Sequence, residues 1–305
     1  MVVIIFIFCF FVDAKIYTYL VFSKKKNIYY KKSKMIIVEN FEENNTPDMK
    51  YYAFDWDDNI VYMPTEIILI DNEGEEVGMS THDFAKYRSK IGSSEFEYRG
   101  TTIVNYANLP FRQFKTDGDN QFLEDVMIAK LGPAFDDFKE AINNGSIFSI
   151  ITARGHNPNT LRKAVKIYIE NNFNGINKNR LVHNLKKYRD ISDESLLSDD
   201  EMVDAYLILC KFYPVSFGDA GSAANPEDAK VDALNEFYSY CKKLSNVIKK
   251  KYNIKKDISG ENRLEKYFSM GFSDDDPKNL ETIKKRVKKD NLTIYGTNKG
   301  KKELY

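Results

Sequence analysis

Residues 51–64, YYAFDWDDNIVYMP, set three aspartates, Asp55, Asp57 and Asp58, at the exit of a short apolar run. Carboxylates crowded at the end of a buried strand repel one another. They cost free energy unless a cation or hydrogen bonds compensate. A solvated turn also draws on aspartate, because Asp and Asn favour turns. Two more apolar runs end in the same way. SIIT closes on Thr152, with Arg154 two residues further on, and GFSDDD closes on Asp274, Asp275 and Asp276. Ligands of an open parallel α/β sheet bind beyond the carboxyl ends of its strands. If the three runs are neighbouring strands, their polar ends converge on one point. The chemistry expected there is a hard cation held by oxygen ligands, such as Mg²⁺.

The rest of the composition narrows the field. Three cysteines, Cys9, Cys210 and Cys241, are too few and too scattered for a disulfide framework or a zinc site, and three histidines do not make a histidine-rich metal centre. The 305 residues suffice for one large domain or two small ones. A charged fraction of 30% and an apolar fraction of 43% are those of a soluble globular protein. Forty-five basic residues balance forty-five acidic ones, so no global field draws the chain to nucleic acid or to a membrane. The basic run at 249–256 reads as a solvated helix end, with a phosphate-rich partner as its alternative.

Residues 1–48 read as an N-terminal extension outside the core. The apolar stretch 1–22 is interrupted by Asp13 and Lys15 and lacks the basic start of a secretory signal. It is also short for a membrane span. A start at Met35 or Met49 is the favoured reading, ahead of a signal peptide and then an anchor. The expected location is cytoplasmic, with no stable membrane partner.

The elements that must carry the polar ends follow from pattern. Residues 65–80 form a hairpin about the turn Asp71-Asn72-Glu73-Gly74. Residues 80–92 read as a capped helix ending at Gly92. Residues 122–145 read as helical, broken at Gly132-Pro133 and closed by Gly145. A strand from 146 is followed by a helix over 159–172, with Asn157 and Pro158 at its start. An extended run at 213–219, a long amphipathic helix at 225–252, a strand at 266–273, a helix at 277–289 and a last strand at 292–296 complete the core. Strands alternating with helices predict an α/β fold with helices on both faces of the sheet.

With these motifs in place, the sequence resembles the haloacid dehalogenase (HAD) superfamily of phosphatases and phosphotransferases over about residues 50–296. FDWDDNIV matches the family's first motif, a strand followed by Asp-x-Asp, through Asp55 and Asp57. Asn59 stands where Thr or Val is usual, and Asp58 where Gly is common. SIITARG matches the second motif through Thr152. GFSDDDPKNLE matches the acidic fourth motif. Its register against Asn279-Leu280-Glu281 makes Asp275 the principal metal ligand, with Asp274 and Asp276 as rivals. The third motif, a lysine near a helix start, is best met by Lys230 in NPEDAKVDAL, with Lys255, Lys256 and Lys266 as alternatives. Gly218-Asp219 is read as a neighbouring strand end lining the pocket.

The resemblance implies a Rossmann-like three-layer core with a parallel sheet. It places a cap, about residues 62–135, between the first and second motifs, and leaves 297–305 as a basic tail. It implies a Mg²⁺-dependent phosphatase acting on a small phosphomonoester, for which a nucleotide or a nucleic-acid end is one candidate. Asp55 would be the nucleophile, forming an aspartyl-phosphate. Asp57 would be the general acid and base, and would also give the metal its backbone carbonyl. Thr152 and Lys230 would hold phosphoryl oxygens, and Arg154 would reach the substrate's charge. Asp55, Asp57, Asp275 and Asp274 form the expected metal set. Two other readings remain open: a HAD-like binding or regulatory protein without turnover, and a glycosyltransferase using Asp55 and Asp57 to hold a metal-bound sugar nucleotide.

Overall fold

The computed structural model describes residues 49–187, 197–217, 225–251 and 268–305. The extension 1–48, Gly218-Asp219, the candidates Lys255, Lys256 and Lys266, and most of the basic run at 249–256 lie outside the described residues.

The chain is mixed α/β. The apolar run before the aspartates is strand β1 (Met49–Phe54). Its neighbours are β8 (Phe148–Thr152) on one side and β10 (Phe268–Asp274) on the other, both parallel to it. Beyond β8 lies β9 (Lys211–Pro214), and beyond β10 lies β11 (Leu292–Gly296), so five parallel strands run β11-β10-β1-β8-β9. The outermost strand, β12 (Glu303–Leu304), is antiparallel to β11, which puts the segment read as a basic tail into the sheet. From β1 the chain moves outward through β8 to β9, then returns to the opposite side for β10 and β11. The topological switch point is therefore β1, the place where an open α/β sheet leaves a crevice for a ligand.

Side-chain alternation along β1 puts helices on both faces. Phe54 meets Phe138 of α3 (Phe135–Asn143) edge-on, with ring centroids 5.6 Å apart. Tyr51, on the opposite face, bonds through its hydroxyl to Ser245 of α7 (Pro226–Lys251) at 2.9 Å. α4 (Pro158–Glu170) packs on β9, and α8 (Pro277–Arg286) packs on β10 and β11. The helix starts follow their expected signals: Asn157 caps α4 ahead of Pro158, and Asp276 caps α8 ahead of Pro277. Between β8 and β9, α5 (Lys178–Lys187) and α6 (Asp199–Leu209) pack on one another, and α6 starts on a Ser198–Glu201 capping box.

The long connection from β1 to β8 builds a second, smaller layer. The hairpin expected at 65–80 is present as β3 (Glu66–Asp71) and β4 (Glu76–Ser80). With β5 (Phe96–Tyr98) and β6 (Thr101–Tyr106) it makes an antiparallel sheet in the order β4-β3-β6-β5. This sheet has its own apolar cluster of Ile67, Leu69, Met79, Ile91, Phe96, Tyr98 and Ile103. The helix expected over 80–92 is shorter, α1 (Thr81–Tyr87), capped by Ser80, and Gly92 sits past it at φ +74°.

The stretch 122–145 departs from the expected broken helix. α2 (Asp119–Asp125) ends early, and Lys130–Leu131 form a short strand, β7, before α3 begins. β7 pairs antiparallel with β2 (Val61–Tyr62), directly after the aspartates. Tertiary pairing with β2 overrides the helical propensity of MIAKL. Gly132 is needed at this junction. A Cβ there would lie 2.4 Å from the Asn59 carbonyl oxygen, while the bonds Gly132 N–Ile60 O (2.8 Å) and Ala134 N–Asn59 O (2.9 Å) fix both backbones. Gly132→Ala is expected to lower stability by about 1–3 kcal/mol through overpacking. Chemical denaturation measures this, and an unchanged midpoint would contradict the tight contact.

Candidate active site

The three parallel strands next to the switch point end together. Asp55 continues the ladder beyond β1, its amide donating to the Ser273 carbonyl at 2.9 Å, which places it beside Asp274 at the end of β10. Thr152 closes β8. Among the described residues, carboxylate oxygens of Asp55, Asp274 and Asp275 all lie within 4.8 Å of one another. The amphipathic pattern that seats α7 against β1, β8 and β10 buries Lys230 in this cluster. Its Nζ is 2.7 Å from Asp274 Oδ2 and 3.1 Å from Asp55 Oδ1, with 1% of the lysine side chain exposed. Lys230, chosen on a loose motif far upstream in sequence, is thus brought directly to the first and fourth motifs.

The electrostatics follow from enclosure. Burial pushes the Asp55 carboxyl up to about 8, Lys230 opposes the shift, and Asp274 and Asp57 add to it. Desolvation, and then the charges of Asp274 and Asp55, hold Asp275 well above the usual carboxylate range. Burial pulls Lys230 down, but Asp274 and Asp55 outweigh it and keep the ammonium above its ordinary value. One ammonium thus faces three carboxyls in a largely dry site, and burial holds Asp55 and Asp275 toward the protonated form.

Neutral donors shape the cluster further. Asn279, in the first turn of α8, donates to both oxygens of Asp274 at 2.9 and 3.2 Å, and the Asp276 amide adds a bond to Oδ1 at 2.9 Å. The Asp276 side chain instead caps α8 through Lys278 N and pairs with Arg88, 3.2 Å away. So Asp274 and Asp275 point inward, while the third member of the run is occupied elsewhere. Asn59 binds the scaffold rather than a ligand. Its amide nitrogen donates to Asp55 O (3.0 Å), Ser273 O (3.2 Å) and Ser273 Oγ (3.0 Å), and its oxygen accepts from Thr297 Oγ1 at 3.0 Å. Asp58 has φ +53°, which accounts for glycine being suited to that slot. Burial and the neighbouring Asp57 raise the Asp58 carboxyl to about 6, and the Thr81 hydroxyl from the insertion relieves part of the shift.

Thr152 is buried, and its Oγ1 accepts from Arg154 N at 3.3 Å, leaving the hydroxyl hydrogen free to donate. Arg154 sits differently from the substrate contact expected of it. Its guanidinium binds Asp57 in a fork, Nε to Oδ2 and Nη2 to Oδ1, both at 2.7 Å, and it is 1% exposed. Sequence reasoning missed Asn279, Ser273 and Thr65 as site-building residues; only the adjacency of the first two to the acidic run hinted at them.

The residues fit a divalent cation. The gathered ligand atoms are all carboxylate oxygens and lie within 4.8 Å of one another, the donor set a hard divalent cation prefers. Comparison with protein families, curated proteins and solved structures finds no match.

Lys230→Met leaves Asp55 and Asp274 buried without their cation. A loss of about 3–5 kcal/mol in metal-free buffer is expected, the cost of breaking a buried pair from one side. Denaturant unfolding measures it, and a loss below 1 kcal/mol would mean that the ammonium is not the charge holding the cluster together.

Proposed function

We propose that the chain is a Mg²⁺-dependent phosphatase of HAD type, hydrolysing a phosphomonoester through an aspartyl-phosphate on Asp55. The observation that carries this reading is the cluster of Asp55, Asp274, Asp275 and Lys230 at the switch point of the sheet. The parallel core and the four-stranded insertion between β1 and β8 support the corresponding reading of the fold as a HAD core with a cap.

Asp55, Asp274 and Asp275 would hold the cation, with the backbone carbonyl of Asp57 in support. Bound there, it would neutralise the repulsion between the nucleophilic carboxylate and a phosphoryl dianion. Asp55 attacks phosphorus, forming a bond from its carboxylate oxygen as the bond to the leaving oxygen breaks. Asp57 gives that oxygen a proton, then removes one from the water that cleaves the aspartyl-phosphate, restoring free Asp55 and releasing phosphate. Thr152 donates to a phosphoryl oxygen, and Lys230 offsets charge as it spreads in the transition state. Asn59 and the lysine, the two features behind the alternative of binding without turnover, both have places in this arrangement. The third alternative, a glycosyltransferase, offers no use for a buried lysine between the first and fourth motifs.

Phosphate release from a panel of phosphomonoesters is expected to require Mg²⁺, to stop in EDTA, and to fall by at least ~10⁴-fold in Asp55→Asn, which removes the nucleophile. Mg²⁺ at about 100 times its dissociation constant is expected to stabilise the wild type by ~2.7 kcal/mol, and Asp275→Asn to abolish most of that gain. Full turnover by Asp55→Asn rules the mechanism out. No thermal shift with Mg²⁺ removes the metal.

A further inference from the structure

The site contains a second charged assembly, built around Arg154, that the proposed chemistry does not use. Arg154 lies two residues past the end of β8, and every group around it beyond its own loop comes from elsewhere. Nε and Nη2 take the two oxygens of Asp57, and Nη2 also donates to Thr65 Oγ1 at 3.0 Å. Nη1 lies 3.1 Å from His156 Nε2. Phe114 and Phe122 pack on the guanidinium, with ring centroids 4.6 and 4.9 Å from its central carbon. His156 is fully buried, with its ring 4.6 Å from Phe122, and its Nδ1 is 2.8 Å from Asp119 Oδ1. Thr160 Oγ1 donates to the other Asp119 oxygen at 2.7 Å.

The directions of these bonds are forced. Arginine only donates, so His156 Nε2 must accept. The imidazole is then neutral, and its proton sits on Nδ1, donating to Asp119. Burial, followed by the charge of Arg154, lowers the basicity of His156, in keeping with that assignment. The backbone is held as firmly. Gly155 N donates to Phe114 O at 2.8 Å, and Ser216 N donates to Arg154 O at 3.3 Å. With 1% of its side chain exposed, Arg154 is in no position to meet a substrate as a free cation.

The geometry points to Arg154 as the positioning residue for Asp57, in a cage that the insertion supplies through Thr65, Phe114, Asp119 and Phe122. The fork fixes the plane of the Asp57 carboxylate at the open side of the cluster, where 15% of that side chain is exposed. Protonating one oxygen gives up one of the two bonds and keeps the other as a pivot, so the carboxyl stays aimed through the proton transfer. Lysine offers a point charge and no fork. The catalytic part of this inference rests on the phosphatase reading; the clamp itself does not.

Two experiments on the full chain separate them. The first compares kcat/KM for an alkyl phosphate, whose leaving group needs a proton, with that for p-nitrophenyl phosphate, whose leaving group does not. kcat/KM ends at the first irreversible step and so excludes the shared hydrolysis of the aspartyl-phosphate. Arg154→Ala and Arg154→Lys are expected to lose about 10²-fold or more on the alkyl ester and under about tenfold on the aryl ester. Arg154→Ala combined with Asp57→Asn should be no worse than Asp57→Asn alone, and added guanidinium should restore part of the alkyl rate to Arg154→Ala. Equal losses on both esters that multiply with Asp57→Asn would overturn the role and make Arg154 a direct phosphate contact.

The second experiment needs no turnover. The Arg154 Nε–H proton, followed by NMR, is expected to exchange at least about tenfold faster in Asp57→Ala than in the wild type. Unchanged exchange would overturn the clamp. A wild type that releases no phosphate but shows the protected proton would end the phosphatase reading and leave the clamp standing. Should Arg154→Ala not fold, Arg154→Lys, which keeps a cation and removes the fork, carries the first measurement, and the second, made on Asp57→Ala, stands without it.

Discussion

The site depends on one buried ammonium. Lys230 stands between Asp55 and Asp274, and without it two carboxylates would share a water-poor space at the end of the sheet. Such a group is poor evidence for stability, because desolvating the charges offsets most of their attraction. An apolar replacement of all partners would hold the sheet and α7 together as well. What apolar side chains cannot do is keep a carboxyl close to two others. Lys230 lowers the cost of that crowding for Asp55 and Asp274 together.

Neutral amides complete what charge leaves undone. Asn59 takes three acceptors and one donor among Asp55, Ser273 and Thr297, tying the loop after β1 to β10 and to the turn after β11. Thr at that position could supply at most two of those bonds, one donated and one accepted, and Val none. Asn279 plays the matching part for Asp274, meeting both oxygens from the first turn of α8. A buried polar group left unpaired costs about 1–3 kcal/mol, so each amide that finds all its partners stiffens its neighbourhood. Asn59 is therefore a structural tie around Asp55.

The parts of this architecture legible in the sequence are those governed by short range. Strand-then-aspartate, strand-then-threonine and strand-then-acidic-run placed Asp55, Thr152 and the run 274–276 at strand ends, because an apolar run followed by polar groups encodes both a strand and its exposed end; the register favoured Asp275 within that run, whereas Asp274 is the residue that closes β10 and meets Lys230. Helix starts at Pro158 and Pro277 were legible for the same reason. Apart from element lengths such as that of α1, the failures are long range. β7 exists only because β2 is there to pair with it, and β12 only because β11 offers an edge. The partners of Arg154 are 97, 89 and 2 residues away, and Asp119 is 37 residues from His156. No local pattern announces such a set. A lone histidine and an ordinary aspartate gain meaning only when the insertion folds back over β8.

Two of the places where the insertion touches the core differ in strength. Around Arg154 the contact is buried, aromatic and fully hydrogen-bonded, so separating it exposes apolar rings and breaks charged bonds in a dry environment. At the end of α1 the contact is the Arg88–Asp276 pair, with 28% and 19% of the side chains exposed. Partly solvated pairs of this kind contribute on the order of 0–1 kcal/mol. α1 has no buried residue of its own to add to that. The two contacts therefore divide the insertion. The segment holding Phe114, Asp119 and Phe122 belongs energetically to the core and to the orientation of Asp57, while α1 is tied beside the acidic cluster by the Arg88–Asp276 pair and the Thr81–Asp58 hydrogen bond.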